Sequence, residues 1–392
     1  MKLKKIHKTY ILSFLFSLHV ALSAYVNSSF LTKIISEKYV GLIFVVSSII
    51  SLVFLSQSSS FLKSFGNRKL TLAFIFMNVL GLSGMIFSSN PYIVGTAFVL
   101  FNITNTLFFF CIDIFVEHFS DKKSIGRVHG VYLTVYNIAW MISPFITGRL
   151  ASDGHGYVPV YTFAFITALI TMIGFISWVP SFHDASYSKV PFFQAYKFIR
   201  EKHHLASINL INFILQFFFV WMVIYTPIYL VEHLGFTWEN IGIMFTWMLA
   251  PFVVIPLTLG MIIDKYKIHK RTAIVVGTII MSLSTIAITF IDTKSIAFWA
   301  FILCMTRVGA AMVETVSEMY FFTHVREEDA HLLSIFRDMS PLSYLIAPLL
   351  GTAVLLFFPF KYLFIILGLF VLSILYYVPR LKHAKNELHL SH

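Results

Sequence analysis

A few ionisable side chains sit inside stretches that are otherwise apolar, and their spacing limits the chemistry available to the chain. Arg307 stands about twelve residues into an apolar run over 295–319. An ionised guanidinium at mid-bilayer depth costs roughly 3 kcal/mol on an insertion scale, so lipid cannot be its neighbour. A group on another helix, a substrate anion or cavity water must answer it. Glu314, seven residues on, shares its helical face but lies about 10 Å along the axis. Helical side chains lean toward the amino terminus, so Arg307 leans away from that acid and a direct pair is strained. Glu318 follows four residues after Glu314. The same pair occurs 201 residues earlier as Asp113 and Glu117, again four apart and on one face. Arg337 and Asp338 are adjacent and must face different neighbours, with Glu314 or Glu318 the expected partner of Arg337. Such groups can close a gate, staple helices together, or move a proton as a carboxylate alternates between paired and unpaired states.

They do not form a catalytic constellation. His19 has no acid near it in sequence, and neither a His-rich metal motif nor a Gly-rich phosphate loop followed by Lys is present. Cys111 and Cys304 lie within apolar runs and suggest neither a disulfide nor a metal site. No enzymatic activity, cofactor or metal is expected, and ATP is not the expected energy source. Among the uncharged polar groups in the runs are His19, Ser23 and Asn27 at spacing four, Asn102 and Asn105, then Asn209, Asn212, Gln216 and Tyr225. Each Asn or Gln alone is as apt to join two helices as to touch a ligand. Trp140 stands just before a small-residue bend and is a further cavity candidate. The many Phe residues are lipid and packing surface.

The elements that position these groups follow from composition. The chain has 392 residues, 58% hydrophobic and 12% charged, with 43 Phe. Soluble domains carry about 25% charged residues, so lipid must cover most of this surface. Twelve apolar runs are long enough to cross about 30 Å of hydrocarbon as helices. They are 11–31, 39–62, 70–89, 92–115, 127–150 and 157–179, then 206–231, 239–262, 271–290, 295–319, 331–355 and 361–379. Period-two alternation is absent, which disfavours a barrel. The long polar interruption over 181–204 divides six runs from six.

An even number of spans places both termini on one side of the membrane. With twelve, 22 Lys and Arg residues fall on that side and only Lys33, Lys38, Arg149, Lys294 and Lys361 on the other. This bias makes the first side cytoplasmic. The net charge of +11 is then a topology signal that favours anionic lipid and calls for no nucleic acid partner.

The two halves repeat one another. Ala139-x-x-x-Ser143-Pro144-x-x-Thr147-Gly148 in the fifth run recurs 204 residues later as Ser343-x-x-x-Ala347-Pro348-x-x-Gly351-Thr352. Small residues four apart permit close helix approach, and the proline between them bends the helix. The eighth run ends in Gly260-Met-Ile-Ile-Asp264-Lys265-Tyr266-Lys267-Ile268-His269-Lys270-Arg271, and its first-half counterpart keeps Gly66, Arg68 and Lys69 without the aspartate.

These motifs resemble those of the major facilitator superfamily. The 260–271 segment looks like its Gly-x-x-x-Asp-Arg/Lys-x-Gly loop, with Lys267 where the second Gly is expected, and the two proline segments look like degenerate copies of its fifth-span motif. The resemblance implies an all-α polytopic membrane protein of twelve helices, with bundles over 1–180 and 205–392 and a cytoplasmic linker over 181–204. It implies a secondary transporter working by alternating access, with Asp264 and Lys265 at a cytoplasmic gate. It also implies that the first, fourth, seventh and tenth helices line the cavity, and these carry His19, Asn102, Asn105, Gln216, Tyr225 and Arg307. Asp113, Glu117, Glu314, Glu318, Arg337 and Asp338 are the further gating and coupling candidates. The expected cargo is a small polar or anionic solute, with export of amphipathic compounds and a non-transporting scaffold as alternatives. A proton or a sodium ion is the candidate coupling ion. The expected protein acts as a monomer among membrane lipids, in a bacterial cytoplasmic membrane with both termini inside.

Overall fold

A helical backbone satisfies its own N–H and C=O groups, which is what crossing hydrocarbon demands. The computed structural model describes residues 2–119, 125–152, 156–178, 200–266, 269–324 and 330–381, and over these the secondary structure is entirely helical. The helices of the first half are α1 (Lys2–Ala24), the short α2 (Asn27–Leu31), α3 (Glu37–Ser56), α4 (Ser58–Phe65), α5 (Asn67–Phe87), α6 (Pro91–Phe119), α7 (Ile125–Ser152) and α8 (Val158–Trp178). The second half adds α9 (His203–Ile228), a π-helical turn Tyr229–His233, α10 (Trp238–Leu249), α11 (Pro251–Tyr266), α12 (Lys270–Ala287), α13 (Ile296–His324), α14 (Ala330–Phe357), α15 (Tyr362–Leu372) and α16 (Ile374–Tyr377).

Among the described residues ten helical segments are long and apolar enough to span a membrane. The first and fifth runs are not among them, because Ser13, Ser17, His19 and Ser23 in α1, and Asn137, Ser143 and Thr147 in α7, lower their hydropathy. Several runs expected to be single helices are interrupted, the second at Gln57 and the twelfth at Ser373 among them. The first breaks after Ala24, so that Asn27 opens α2 instead of extending the stripe of His19 and Ser23. The eighth breaks at Ala250, where Pro251 has no N–H to continue the ladder.

Helix α8 shows how membrane packing sorts residues. Its inward face is Ala164, Thr167, Ala168, Thr171, Gly174 and Phe175, mostly small, and its outward face is Ile166, Ile170, Ile173 and Ile176. Both faces are apolar, and size separates them: small side chains let helices approach while branched ones meet lipid.

Contacts divide the chain into two compact units, one of Met1–Lys189 with Val223–Thr246 and one of Val190–Met222 with Trp247–His392. Within the first, α5 packs on α6 and α8, and α3 on α6; within the second, α12 packs on α13 and α15, and α11 on α13. These are the same three pairings, displaced by one half of the sequence. The closest approach recurs as well. A Cβ on Gly81 of α5 would lie 2.9 Å from the carbonyl oxygen of Ala97 in α6, and one on Gly277 of α12 would lie 2.9 Å from that of Gly309 in α13. Only glycine permits backbones this near.

Candidate functional site

In the first unit a chain of polar side chains crosses three helices. His19 of α1, fully buried, places Nε2 2.9 Å from Oδ1 of Asn78 in α5. Asn78 Nδ2 donates to Asn105 Oδ1 of α6 at 2.7 Å, and it also faces Thr104 Oγ1 at 3.0 Å and the Phe101 carbonyl at 3.3 Å. Thr104 donates to the carbonyl of Leu100 in its own helix, so its oxygen is an acceptor toward Asn78. Asn102 is half-buried and reaches the Phe98 carbonyl at 3.4 Å.

The fifth-run motif ties α7 to its neighbours. Thr147 Oγ1 donates to the Leu22 carbonyl of α1 at 2.6 Å. Gly148 stands against α10: a Cβ there would lie 2.6 Å from the Trp238 carbonyl oxygen and 2.9 Å from Gly242 Cα. The matching segment in the second unit behaves similarly, with Ser343 of α14 donating to the Phe213 carbonyl of α9 at 3.1 Å. Trp140 is half-buried in a cluster with Tyr25 (6.3 Å between ring centroids) and Tyr136 (5.9 Å), and Tyr25 in turn meets Phe245 at 4.7 Å.

A second group of contacts joins residues 229–238 to the start of the chain. His233 Nε2 pairs with Glu37 Oε2 at 3.2 Å, and Trp238 Nε1 donates to the Tyr157 hydroxyl at 3.2 Å. Lys33 Nζ lies 4.5 Å from the Tyr157 ring centroid, within cation–π range.

In the second unit Arg307 is 2% exposed, and its guanidinium lies 5.1 Å from the Phe218 ring and 5.7 Å from the Phe219 ring of α9. The sequence left its partner open among a group on another helix, a substrate anion and cavity water; α9 supplies two π faces, which attract a cation through the ring quadrupole. Glu314 is half-buried and within Coulombic reach of Arg307 and Glu318, and Glu318 is within reach of Arg337. Arg337 is exposed and Asp338 half-buried. On α9, Asn212 Nδ2 donates to the Phe336 carbonyl at 2.8 Å, Gln216 reaches Asn212 Oδ1 at 3.5 Å, and Tyr225 is buried. Lys265 is exposed with Nζ 5.4 Å from the Tyr266 ring. The side chains of Asp113, Glu117 and Asp264, and most of the 181–204 segment, lie outside the described residues.

The candidates therefore gather into two sets: His19 with Asn105 in the first unit, and Arg307 with Glu314, Glu318 and Arg337 in the second. Sequence reading missed Asn78, the link between His19 and Asn105, and it missed the Glu37–His233 pair. Asn78 was visible as a polar residue in the middle of the third run.

The sequence model of the Major Facilitator Superfamily matches residues 9–336 and also 240–389. No sequence among curated proteins matches. Among solved structures, the fold is similar to an auto-inhibited POT family peptide transporter, with TM-score 0.77 and 12% identity over 97% of each chain. It is also similar to a bacterial homolog of the human lysosomal transporter Spinster, in an inward-facing and unoccupied conformation, with TM-score 0.73 and 11% identity over 96% of each chain.

Proposed function

We propose that this chain, which belongs to the Major Facilitator Superfamily and is a secondary transporter working by alternating access, moves a small polar or anionic solute whose charge Arg307 answers. The architecture that goes with this reading is twelve spans in two related bundles, 1–180 and 205–392, joined by a cytoplasmic segment.

The observation that carries the reading is Arg307 itself, buried at the centre of α13 beneath two phenyl rings. A carboxylate or phosphate can accept paired hydrogen bonds from its planar fork, and aromatic walls exclude the water that would compete. Glu314 and Glu318, about two and three turns further along the face, give the same helix acids with which to release the anion or couple its movement to a proton. Sodium is the alternative coupling ion.

Binding of a panel of labelled solutes to the purified protein tests this. Anions or zwitterions should bind preferentially, and Arg307→Lys, which keeps the charge and loses the fork, should weaken binding while leaving fold and monodispersity intact. Unchanged affinity, or a neutral or cationic preferred solute, ends the anion reading. The exporter of amphipathic compounds then becomes the better one, supported by the aromatic cluster of Tyr25, Tyr136, Trp140 and Phe245.

A further inference from the structure

Both ring nitrogens of His19 face oxygen. Nδ1 is 2.7 Å from the Phe16 carbonyl, which can only accept, and Nε2 is 2.9 Å from Asn78 Oδ1. A neutral imidazole has one donor and one acceptor nitrogen. In this arrangement only the doubly protonated ring satisfies both contacts.

The alternative is to turn Asn78, since an amide's orientation is decided by its network. Turned alone, Asn78 would place its oxygen against Asn105 Oδ1, at the 2.7 Å position now held by a donor, and against the Phe101 carbonyl. Turned together with Asn105 it escapes the contact between the two amide oxygens, and Thr104 Oγ1 at 3.0 Å can turn its hydroxyl toward Asn78 Oδ1, which leaves the Phe101 carbonyl at 3.3 Å as the one acceptor that oxygen still faces. Asn105 Nδ2 then donates to Asn78 Oδ1, Asn78 Nδ2 donates to His19 Nε2, and Nδ1–H of a neutral His19 donates to the Phe16 carbonyl. The two complete networks differ by one proton and two amide flips.

We propose that His19, Asn78 and Asn105 form a proton-binding relay, in which a proton taken up at Nε2 of His19 reverses both amides and changes the group that Asn105 presents at its far end. With His19 protonated, Asn105 uses its oxygen internally and presents N–H; with His19 neutral it presents oxygen. Asn105 is 7% exposed, and Asn102, one turn earlier, is half-buried. A solute meeting this face of α6 thus finds a donor in one protonation state and an acceptor in the other. This links proton binding to solute binding in the first unit, where among the described residues no carboxylate touches the relay, and it does not depend on Arg307 or on the charge of the solute.

The surroundings are suited to an imidazolium. Phe16 and Phe101 rings lie 4.5 and 6.0 Å from the His19 ring, and aromatic rings attract a cation. A buried charge is tolerable only where each of its N–H groups is answered, as both are here. The elements packed on α1 face the ring with uncharged groups: Asn78 from α5, and Phe101, Thr104 and Asn105 from α6. The titratable groups on these elements stand elsewhere along them. They are Lys2, Lys4, Lys5, His7, Lys8 and Tyr10 early in α1 itself, Arg68 and Lys69 at the start of α5, Tyr92 at the start of α6 and Cys111, Asp113, Glu117 and His118 toward its end, Arg127, His129, Tyr132, Tyr136 and Arg149 on α7, and Tyr161 on α8, which donates to Asn27. Asp113 is eight residues beyond Asn105, about 12 Å along the helix.

The test is a titration of the full-length protein in lipid bilayers with ¹⁵N-labelled histidine, the His19 signal being identified by its loss in His19→Gln. Imidazolium and neutral rings differ plainly in nitrogen shift. The expected result is one transition between about pH 4 and about pH 9, from two protonated nitrogens to one. In Asn105→Leu the neutral network loses a donor, whereas Asn78 Nδ2 in the protonated network keeps Thr104 and the Phe101 carbonyl. Proton affinity at His19 should therefore rise roughly fivefold, as the loss of about one hydrogen bond gives. A His19 that keeps one bare nitrogen throughout that range overturns the proposal, as does a transition that Asn105→Leu leaves in place. If the leucine variant does not fold, Asn105→Ala removes the same amide with less strain, and the wild-type titration still decides whether the proton binds.

Discussion

Glu37 and His233 lie 196 residues apart in sequence and 3.2 Å apart in space. Each side chain remains about one-third exposed, at 32% and 35%. The pair fastens the π-helical turn after α9 to the start of α3, beside the Trp238–Tyr157 hydrogen bond. Exposed pairs of this kind contribute about 0.2–1 kcal/mol, so the contact biases an equilibrium and does not hold a fold.

The expected effect of Glu37→Gln is a melting temperature within a degree or two of wild type. Cysteines placed near Trp238 and Tyr157 should label faster in the variant than in the parent. Equal labelling in both proteins would leave the pair without a part in closing this region.

The glycine contacts make a sharper prediction. A Cβ on Gly309 would strike the carbonyl of Gly277 and the backbone of Met281, whereas one on Gly95 meets nothing within 4 Å. Gly309→Ala should cost about 1–3 kcal/mol through overpacking, while Gly95→Ala should gain about 0.5–1 kcal/mol because alanine loses less backbone freedom in a helix. Thermal unfolding of the two purified variants in one detergent measures the difference. Similar shifts for both would mean that α12 and α13 can separate at little cost.

The Thr147 hydroxyl should matter less than its buried position suggests. Thr147→Val keeps the shape and deletes the bond to the Leu22 carbonyl. Hydrogen bonds between membrane helices average about 0.6 kcal/mol and reach about 1.7, so a loss in that range is expected from unfolding measurements. A larger loss would place Thr147 among the contacts that determine how α1 and α7 pack.

How much of this was legible in the sequence depends on the kind of signal. Arg307, Glu314 and Glu318 stand out because charge is rare in apolar runs, and the recurrence of Ser143-Pro144 as Ala347-Pro348 revealed the repeat. Asn78 did not stand out. In a soluble helix a polar residue on the buried face breaks an amphipathic pattern, but here both faces are apolar, as in α8, and periodicity cannot say which single polar residue turns inward. The pairing of Glu37 with His233 was hidden because no local rule connects residues 196 apart. The break at Ala250 was missed for another reason: a hydropathy count passes over Pro251, which costs the ladder a donor without lowering the run's apolar character. The two phenyl faces over Arg307 were present in the Phe217–Phe219 run, which sequence alone could only assign to packing.

Topology can be tested independently of any relative. On a twelve-span reading, the bias of 22 basic residues to five is the ground for proposing that both ends of the chain are cytoplasmic. A reporter fused after His392 should therefore be active only in its cytoplasmic form. Activity on the opposite face would mean either an odd number of spans or an inverted orientation, and would overturn the proposed topology.

The last prediction concerns Arg337, which lies within reach of Glu318 and is exposed, next to the half-buried Asp338. If this charge helps to close the cytoplasmic side, Arg337→Ala leaves Glu318 without its attraction and should raise the labelling of cysteines placed near the cytoplasmic ends of α13 and α14 severalfold. Glu318→Gln should have the same effect, and the double variant should be no more accessible than either single one, because the second change removes a partner already lost. Additive effects would assign the two residues to separate contacts. Unchanged labelling in a well-folded Arg337→Ala protein would make the pair a staple within the second unit, and Asp338 would then be the remaining acid of α14 to test for a part in the gate.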